Sequence, residues 1–170
     1  MIILGLGSNL PSRFGDRFVN INLTMLYLDE YGIKIIDKSS FYETPSYPNK
    51  NYPKFINIVI SVKTHLFPID LMSVLIFIEE KLERKRNEKN DPRTCDIDII
   101  DYNNQILSFQ YKNLNLEIPH KKLTSRNFVL FPLQEIFPNW KHPKTKEIIS
   151  SLIHKLPEEN RKSILKIKKD

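Results

Sequence analysis

Apolar positions at the start of the chain fall into two spacings, one typical of strands and the other of helices. Ile2–Leu6 is a short continuous apolar run and predicts a buried strand. From about Phe14 to Tyr31 apolar residues recur every three or four positions, and Gly32 follows where a helix C-terminus is expected. The chain therefore opens with a strand and an amphipathic helix, whose apolar stripe is formed by Phe14, Phe18, Ile21, Met25 and Leu28.

The next segments repeat these two patterns. Ile33–Tyr42 and Phe55–Val62 are predicted strands, and Pro68 is well placed as the first residue of a second helix. Cys95–Ile100 is predicted as a further strand. The order strand, helix, strand, strand, helix, strand predicts an α+β, ferredoxin-like βαββαβ fold, with an antiparallel sheet and helices on one face.

The remaining third of the chain is less regular. Tyr102–Gln105 has the composition of a hairpin turn, after which Ile106–Phe109 is predicted to return beside the preceding strand. Leu123–Phe137 is predicted to hold short helical pieces, Glu147–Leu156 a terminal helix, and residues 160–170 a loosely ordered basic tail. We find no repeat or dividing linker, so residues 1–170 are expected to form a single domain.

Candidate chemistry is concentrated on the strand that carries Asp96 and Asp98. Alternate strand side chains point to the same face, so these two carboxylates lie side by side, about 7 Å apart along the backbone. Mg²⁺ prefers oxygen ligands and typically takes one or two protein carboxylates together with substrate phosphates. Arg84, Arg86 and Arg93 lie just upstream and are suited to phosphate contact. Nucleotide chemistry is therefore indicated.

A second group can hold a flat heterocycle. Phe55 and Asn57 share a strand face and combine an aromatic ring with an amide that offers both donors and acceptors. On these two residues alone, a core phenylalanine beside a turn-capping asparagine is the favoured interpretation. Gly7-Ser8-Asn9, between the first strand and the first helix, has the composition of an ordinary connection.

Together these residues resemble the 6-hydroxymethyl-7,8-dihydropterin pyrophosphokinase family of folate biosynthesis. The strongest motif is Pro92-Arg93-Thr94-x-Asp96-x-Asp98-Ile99, and further matches follow in family order between about Ile3 and Leu133. They are Gly7-Ser8-Asn9, Ser40-Phe41-Tyr42-x-Thr44-Pro45, Phe55-x-Asn57, Ile78-Glu79 with Arg84 and Arg86, Pro119-His120, and Arg126-x-Phe128-x-Leu130-x-Pro132-Leu133.

The resemblance implies an enzyme that transfers the diphosphate of ATP to a pterin hydroxymethyl group and releases AMP. It implies two Mg²⁺ ions held by Asp96 and Asp98, catalytic roles for Arg84 and Arg93, and a C-terminal elaboration of the fold. The implied ATP-binding residues are Glu79, Arg84, Arg86, Arg93, Ile99, His120 and Arg126. The implied pterin-binding residues are Gly7, Thr44, Pro45, Tyr47, Phe55, Asn57 and Phe128.

Two alternatives stay open. The chain departs from the family at Asn90, where a tryptophan is usual, and at Ile76 and Glu83, so a degenerate relative that binds nucleotide without turnover is one. The other is an RNA-recognition module, which has a similar strand order. That module stacks bases on aromatic residues of its first and third strands. Ile2–Leu6 contains none, which weighs against it.

Net charge and cysteine content indicate the class of partner and the redox compartment. A formal net charge of +6 and a sequence pI near 9.3 favour anionic partners such as nucleotides. The single cysteine, Cys95, excludes an internal disulfide and is expected to be a buried hydrophobe, which suits a reducing cytoplasm. No apolar run is long enough to cross a bilayer. We expect a cytoplasmic monomer that acts on ATP and hydroxymethyl-dihydropterin, without a nucleic-acid or membrane partner.

Overall fold

The computed structural model describes residues 1–85, 91–112 and 114–167. The first part of the fold contains β1 (Ile2–Ser8), α1 (Arg17–Glu30), β2 (Lys34–Lys38), β3 (Tyr42–Thr44), β4 (Phe55–Lys63), α2 (Pro68–Lys81) and β5 (Asp96–Tyr102). The second part contains β6 (Leu107–Tyr111), β7 (Leu114–Ile118), a 3-10 turn (Leu123–Ser125), α3 (Asn127–Ile136), α4 (Ile149–Lys155), α5 (Glu158–Lys162) and β8 (Leu165–Lys166).

The main sheet has the strand order β5-β1-β4-β3-β8, with β2 also paired to β4. Its pairings are antiparallel, and β1 lies between β4 and β5. The first and third strands of the predicted βαββαβ order, β1 and β4, therefore lie side by side at the centre of the sheet, as a ferredoxin-like fold requires. The fold class predicted from the sequence is confirmed.

Both α1 and α2 pack on one face of the sheet. Leu4, Ile58 and Ile97 from the strands meet Leu28 and Leu75 from the helices in one buried cluster. The first helix begins at Arg17 rather than near Phe14, because the side chain of Asp16 accepts hydrogen bonds from the backbone N–H groups of the first turn. No helix in the described part of the chain has the length and apolar character needed to span a bilayer.

The C-terminal elaboration covers the other face. Ile3, Val59 and Ile100 project from the sheet into a second buried cluster, where they meet α3, α4 and Trp140. The sheet is therefore sandwiched between two helical layers. An RNA-recognition module uses that face to stack bases, so this covering argues against the RNA-binding alternative.

A β-bulge in β5 adjusts which side chains reach this second cluster. Leu4 pairs with Ile99 but Ile3 pairs with Asp101, which leaves Ile100 as the extra residue. Asp101 consequently shares a face with Ile3 and is fully buried, and its carboxylate accepts a hydrogen bond of 2.8 Å from the indole N–H of Trp140. The bulge therefore fastens the C-terminal layer to the strand that carries Asp96 and Asp98.

Three segments differ from the sequence predictions. The segment 33–42 forms two strands, because Ser39 turns its hydroxyl to the backbone N–H of Val59 and breaks the run. The prediction that Ile106–Phe109 returns beside β5 is wrong: β6 pairs with β7 in a separate hairpin. The tail predicted to be loosely ordered over 160–170 is instead folded as far as residue 167, since α5 and β8 occupy it and β8 pairs with β3.

Candidate active site

One row of paired residues crosses four strands on the face opposite α1 and α2. Tyr42 of β3 pairs with Asn57 of β4, Asn57 pairs with Gly7 of β1, and Gly7 pairs with Asp96 of β5. Directly paired residues in antiparallel strands have their side chains on the same face. The register therefore places the amide of Asn57 and the carboxylate of Asp96 on either side of a glycine.

Gly7 leaves the space between them open. A Cβ at this position would lie 3.1 Å from Oδ1 of Asn57, 3.6 Å from the Phe55 ring and 3.9 Å from Cβ of Asp96. A side chain larger than hydrogen would therefore fill the floor that these three residues share. Gly7, Phe55 and Asn57, which the sequence analysis assigned to pterin binding, do meet at one place.

Asp96 is held between two arginines. Its Oδ1 lies 2.7 Å from Nη1 of Arg84, and its Oδ2 lies 2.8 Å from Nη2 of Arg93. Burial alone would raise the pKa of the Asp96 carboxyl, but Arg93 and Arg84 outweigh that effect and hold the pKa below its usual value. Asp96 is therefore an anion at neutral pH and available as an oxygen ligand.

Asp98 has a separate cationic partner. Nη1 of Arg126, at the start of α3, donates to Oδ2 of Asp98 at 2.7 Å, and Nη2 of the same guanidinium lies 3.2 Å from Nε2 of His120. Burial lowers the pKa of His120, and the nearby charge of Arg126 lowers it further. The imidazole is therefore neutral at pH 7.

Glu79 lies beneath this cluster rather than on its surface. Its residue is only 2% exposed, and its carboxylate pairs with Arg84 and accepts a hydrogen bond of 2.8 Å from the backbone N–H of Ile97. Helix α2 thus contacts β5 through this buried carboxylate. Glu79 is therefore placed to hold Arg84 and β5 in position.

The charges of this cluster balance. Arg84, Arg93 and Arg126 supply three positive formal charges, and Glu79, Asp96 and Asp98 supply three negative ones. Among the described residues, no group of three or more His, Cys, Asp and Glu side chains could hold a metal ion by itself. The two strand aspartates therefore suit a cation that takes only one or two protein carboxylates and completes its ligand set with substrate oxygens.

Polar and aromatic groups line the other end of the row. Nδ2 of Asn57 donates to Oγ1 of Thr44 at 3.1 Å, and both residues are buried. The Arg93 guanidinium lies 5.1 Å from the centre of the Phe55 ring, and that of Arg126 lies 5.4 Å from the Phe128 ring. The site arginines therefore contact residues from both predicted ligand sites.

A cavity of about 200 Å³ opens beside β5, between α2 and the β6–β7 hairpin. Its lining includes Arg84, Asp96, Asp98, Ile99 and His120. Ile99 itself pairs with Leu4 and packs in the core shared with α1 and α2, so it reaches the cavity from the face opposite the aspartates. Four of the predicted ATP-binding residues thus line one cavity together with the two aspartates: Glu79, Arg84, Ile99 and His120.

Of the predicted site residues that the structure describes, Tyr47 lies away from the cluster. Tyr47 is 82% exposed on the loop after β3, beyond the half-buried Pro45. Arg86, like Asn90, lies outside the residues that the structure describes. The structure also adds Asn9, which the sequence does not single out as a site residue and whose side chain contacts segments remote in sequence. A short Gly-Ser-Asn turn gives no local signal of such contacts.

Comparison with known proteins identifies the family. Residues 3–138 match the family described as 7,8-dihydro-6-hydroxymethylpterin-pyrophosphokinase. The 2-amino-4-hydroxy-6-hydroxymethyldihydropteridine pyrophosphokinase of Aquifex aeolicus is 35% identical over 142 residues, which cover 84% of this chain and 83% of that protein. The family identified from the sequence is confirmed.

Longer proteins also contain this region. The folic acid synthesis protein fol1 of Schizosaccharomyces pombe is 36% identical over 91% of this chain, which spans 20% of that protein. A crystal structure of Plasmodium falciparum HPPK-DHPS with SDX-DHP has the same fold, with a TM-score of 0.68 and 23% identity over 91% of this chain and 43% of that one. On the family match and the Aquifex relative, this chain belongs to the 7,8-dihydro-6-hydroxymethylpterin-pyrophosphokinase family.

Proposed function

We propose that this chain transfers the diphosphate of ATP to the hydroxymethyl group of 6-hydroxymethyl-7,8-dihydropterin, a step of tetrahydrofolate biosynthesis. In this reaction the pterin hydroxyl oxygen bonds to the β-phosphorus, the bond between that phosphorus and the α,β-bridging oxygen breaks, AMP leaves, and the hydroxyl proton passes to solvent. The observation that carries the proposal is the row from Asn57, whose amide bonds to Thr44, across Gly7 to Asp96. It supports a heterocycle-binding end next to carboxylates and arginines.

The pterin end is suited to a flat, polar ring. Thr44 and Asn57 supply hydroxyl and amide groups, and Phe55 supplies an aromatic face. Because Gly7 has no side chain, a ring can approach the backbone of β1 closely. Phe128, beside Arg126, and the loop residues Pro45 and Tyr47 are proposed to complete the pterin site.

The nucleotide end is suited to a triphosphate with Mg²⁺. The carboxylates of Asp96 and Asp98 are partly exposed, at 22% and 34% of their side-chain surface, and oxygen ligands of this kind fit Mg²⁺. We expect two ions here; when bound, they would supply positive charge to the triphosphate oxygens. Arg84, Arg93 and Arg126 would then exchange carboxylate partners for phosphate oxygens, a geometry that guanidinium groups also match.

His120 supports an anion at the same place. Its Nδ1 accepts a hydrogen bond of 3.0 Å from the backbone N–H of Lys122. In a neutral imidazole the proton is then on Nε2, so this N–H and the Arg126 guanidinium are two donors only 3.2 Å apart. A phosphate oxygen that approaches this pair would accept a hydrogen bond from each group.

Catalysis by these residues requires no covalent intermediate. Phosphoryl-type transfers depend mainly on positioning and on electrostatic stabilisation of the transferred group. Arg84 and Arg93 are proposed to stabilise the charge on the transferred diphosphate, while Glu79 holds Arg84 from below. The monomeric state, the cytoplasmic location and the absence of nucleic-acid and membrane partners stay predictions from the sequence.

The test is an assay for AMP. The protein is mixed with ATP, Mg²⁺ and hydroxymethyl-dihydropterin, and the nucleotides are separated by chromatography, with pterin omitted as the control. We expect AMP and pterin diphosphate in equal amounts, formed only when pterin is present. Release of ADP would contradict diphosphate transfer, and binding of both ligands without AMP would favour the degenerate relative.

A further inference from the structure

Asn9 lies at the end of β1, between the two ends of the site. The residue is 1% exposed, and the hydrogen-bonding groups of its side chain are all engaged. Oδ1 accepts from the backbone N–H of Arg93 at 2.6 Å, and Nδ2 donates to Oγ of Ser46 and to the carbonyl oxygen of Pro53, each at 3.1 Å. One amide thus joins three segments that lie far apart in the sequence.

On the nucleotide side, Asn9 fixes the peptide that carries Arg93. Besides the bond from the Arg93 N–H, the backbone N–H groups of Asn9 and Leu10 donate to the Arg93 carbonyl oxygen at 3.0 and 3.1 Å. The Arg93 side chain extends from this fixed peptide to Asp96 and across the Phe55 ring. The position of its guanidinium therefore depends on the turn that contains Asn9.

On the pterin side, Asn9 fixes both ends of the loop between β3 and β4. Ser46 follows Thr44 and Pro45, and Pro53 precedes Phe55 by two residues. Oγ of Ser46 also donates to the Pro53 carbonyl oxygen at 2.6 Å, so Ser46, Pro53 and Asn9 form one buried junction at the base of this loop. Movement of the loop would be transmitted to the Asn9 amide.

We infer that Asn9 is a positioning residue that couples the pterin-binding loop to Arg93. A ligand that orders the loop would also order Arg93 through this amide, and a ligand held by Arg93 would order the loop in return. An amide suits this role because it combines an acceptor for one segment with two donors for the other. The inference rests on the proposed function, since it assigns the two ligands to the two ends of the site.

The test measures how much one ligand tightens the binding of the other. Calorimetry gives the dissociation constant of hydroxymethyl-dihydropterin with and without a non-hydrolysable ATP analogue and Mg²⁺. For the unchanged protein we expect the analogue to tighten pterin binding by at least about fivefold, the lower end of ordinary coupling between sites. In Asn9→Ala we expect this factor to fall to less than about twofold, together with a loss in kcat.

Two further variants separate coupling from stability. Ser46→Ala removes one contact of the junction but none to Arg93, so it should reduce the coupling factor while nucleotide binding alone is unchanged. It also decides the question if Asn9→Ala does not fold. Ser39→Ala is the matched control for Ser46→Ala, because Ser39 is also a buried serine, and its Oγ donates to the Ser40 carbonyl oxygen and accepts from the backbone N–H of Val59, remote from Arg93 and Ser46. It should lower stability and leave the coupling factor intact.

The outcomes are distinguishable. Coupling that persists in folded Asn9→Ala, or in Ser46→Ala where the first variant does not fold, overturns the inference. So does a protein that binds both ligands with no coupling. A protein that binds neither ligand overturns the proposed function instead. If Asn9 and Ser46 act through one junction, the double variant should lose no more coupling than Asn9→Ala alone.

Discussion

At the scale of a single residue, the site depends on Gly7, because this position has no side chain and leaves space beside Asn57. A methyl group there would come within 3.1 Å of the Asn57 amide oxygen, so even alanine would press on a residue that we propose to bind pterin. The carboxylates have the opposite requirement. Asp96 must remain charged in a partly buried place, and Arg93 and Arg84 beside it hold the pKa of its carboxyl below the usual value, while Asp98 pairs with Arg126.

Replacement of either aspartate should stop turnover without unfolding the chain. For Asp96→Ala and Asp98→Ala we expect turnover to fall by at least roughly 10²-fold, the usual cost of one preorganised charge in an active site. The measurement is the rate of AMP formation, with circular dichroism to check the fold. Asp37→Ala is the control, because Asp37 is an exposed aspartate on β2, away from the arginines. Near-normal turnover in either site variant would contradict the metal-binding assignment.

At the scale of elements, the site depends on how α2 and β5 are fastened together. The buried carboxylate of Glu79 contacts the Ile97 N–H and Arg84, so it fixes the strand and one of its arginines at once. If this carboxylate is removed, no water is at hand to replace it as the partner of the two buried groups.

Glu79→Ala should therefore destabilise the protein strongly. We expect a loss on the order of 3 kcal/mol in the free energy of unfolding, since a buried charge and a buried N–H lose their partner. Urea denaturation followed by circular dichroism measures it. Glu80→Ala, one residue along the helix and exposed, should change stability little. Equal effects of the two substitutions would mean that Glu79 is not a buried anchor.

The elements also show what the sequence could predict. Alternation along β5 correctly places Asp96 and Asp98 on one face, because a two-residue period needs only local information. Continued alternation would send Asp101 into the core with Ile97 and Ile99. The bulge at Ile100 instead places Asp101 on the opposite face, where it bonds to Trp140. No local pattern in the sequence indicates this bulge, because the bond that goes with it joins residues far apart in the chain. For the same reason the contacts of Asn9 and the pairing of β6 with β7 could not be predicted.

At the scale of the whole molecule, the described residues form two buried cores, one on each face of a shared sheet. The second core includes Trp140 and packs beside His142, whose residue is only 6% exposed. Nδ1 of His142 accepts hydrogen bonds from the backbone N–H groups of Lys144 and Thr145, an arrangement that requires an unprotonated nitrogen. Burial lowers the pKa of His142, in keeping with that geometry.

Stability should therefore fall in mild acid. The folded protein resists protonation of His142, whereas the unfolded chain binds a proton near the ordinary pKa of about 6.5. The stabilisation is fully present above that value and is lost as the pH falls through the lower pKa of the folded state. We expect the urea midpoint to decrease from pH 7 to pH 5, and His142→Asn to reduce this decrease. His65→Asn, at an exposed histidine, is the control; an equal reduction there would contradict the role of His142.

The bond between Trp140 and Asp101 has a consequence for spectroscopy. Trp140 is the one tryptophan of the chain, and its indole is buried in the C-terminal layer, with its N–H on a carboxylate of the sheet. Its emission therefore reports on whether that layer is docked on the sheet. Far-ultraviolet dichroism follows the helices on both faces. The chain thus contains a native optical probe that can tell whether the two layers separate in one cooperative transition or in two.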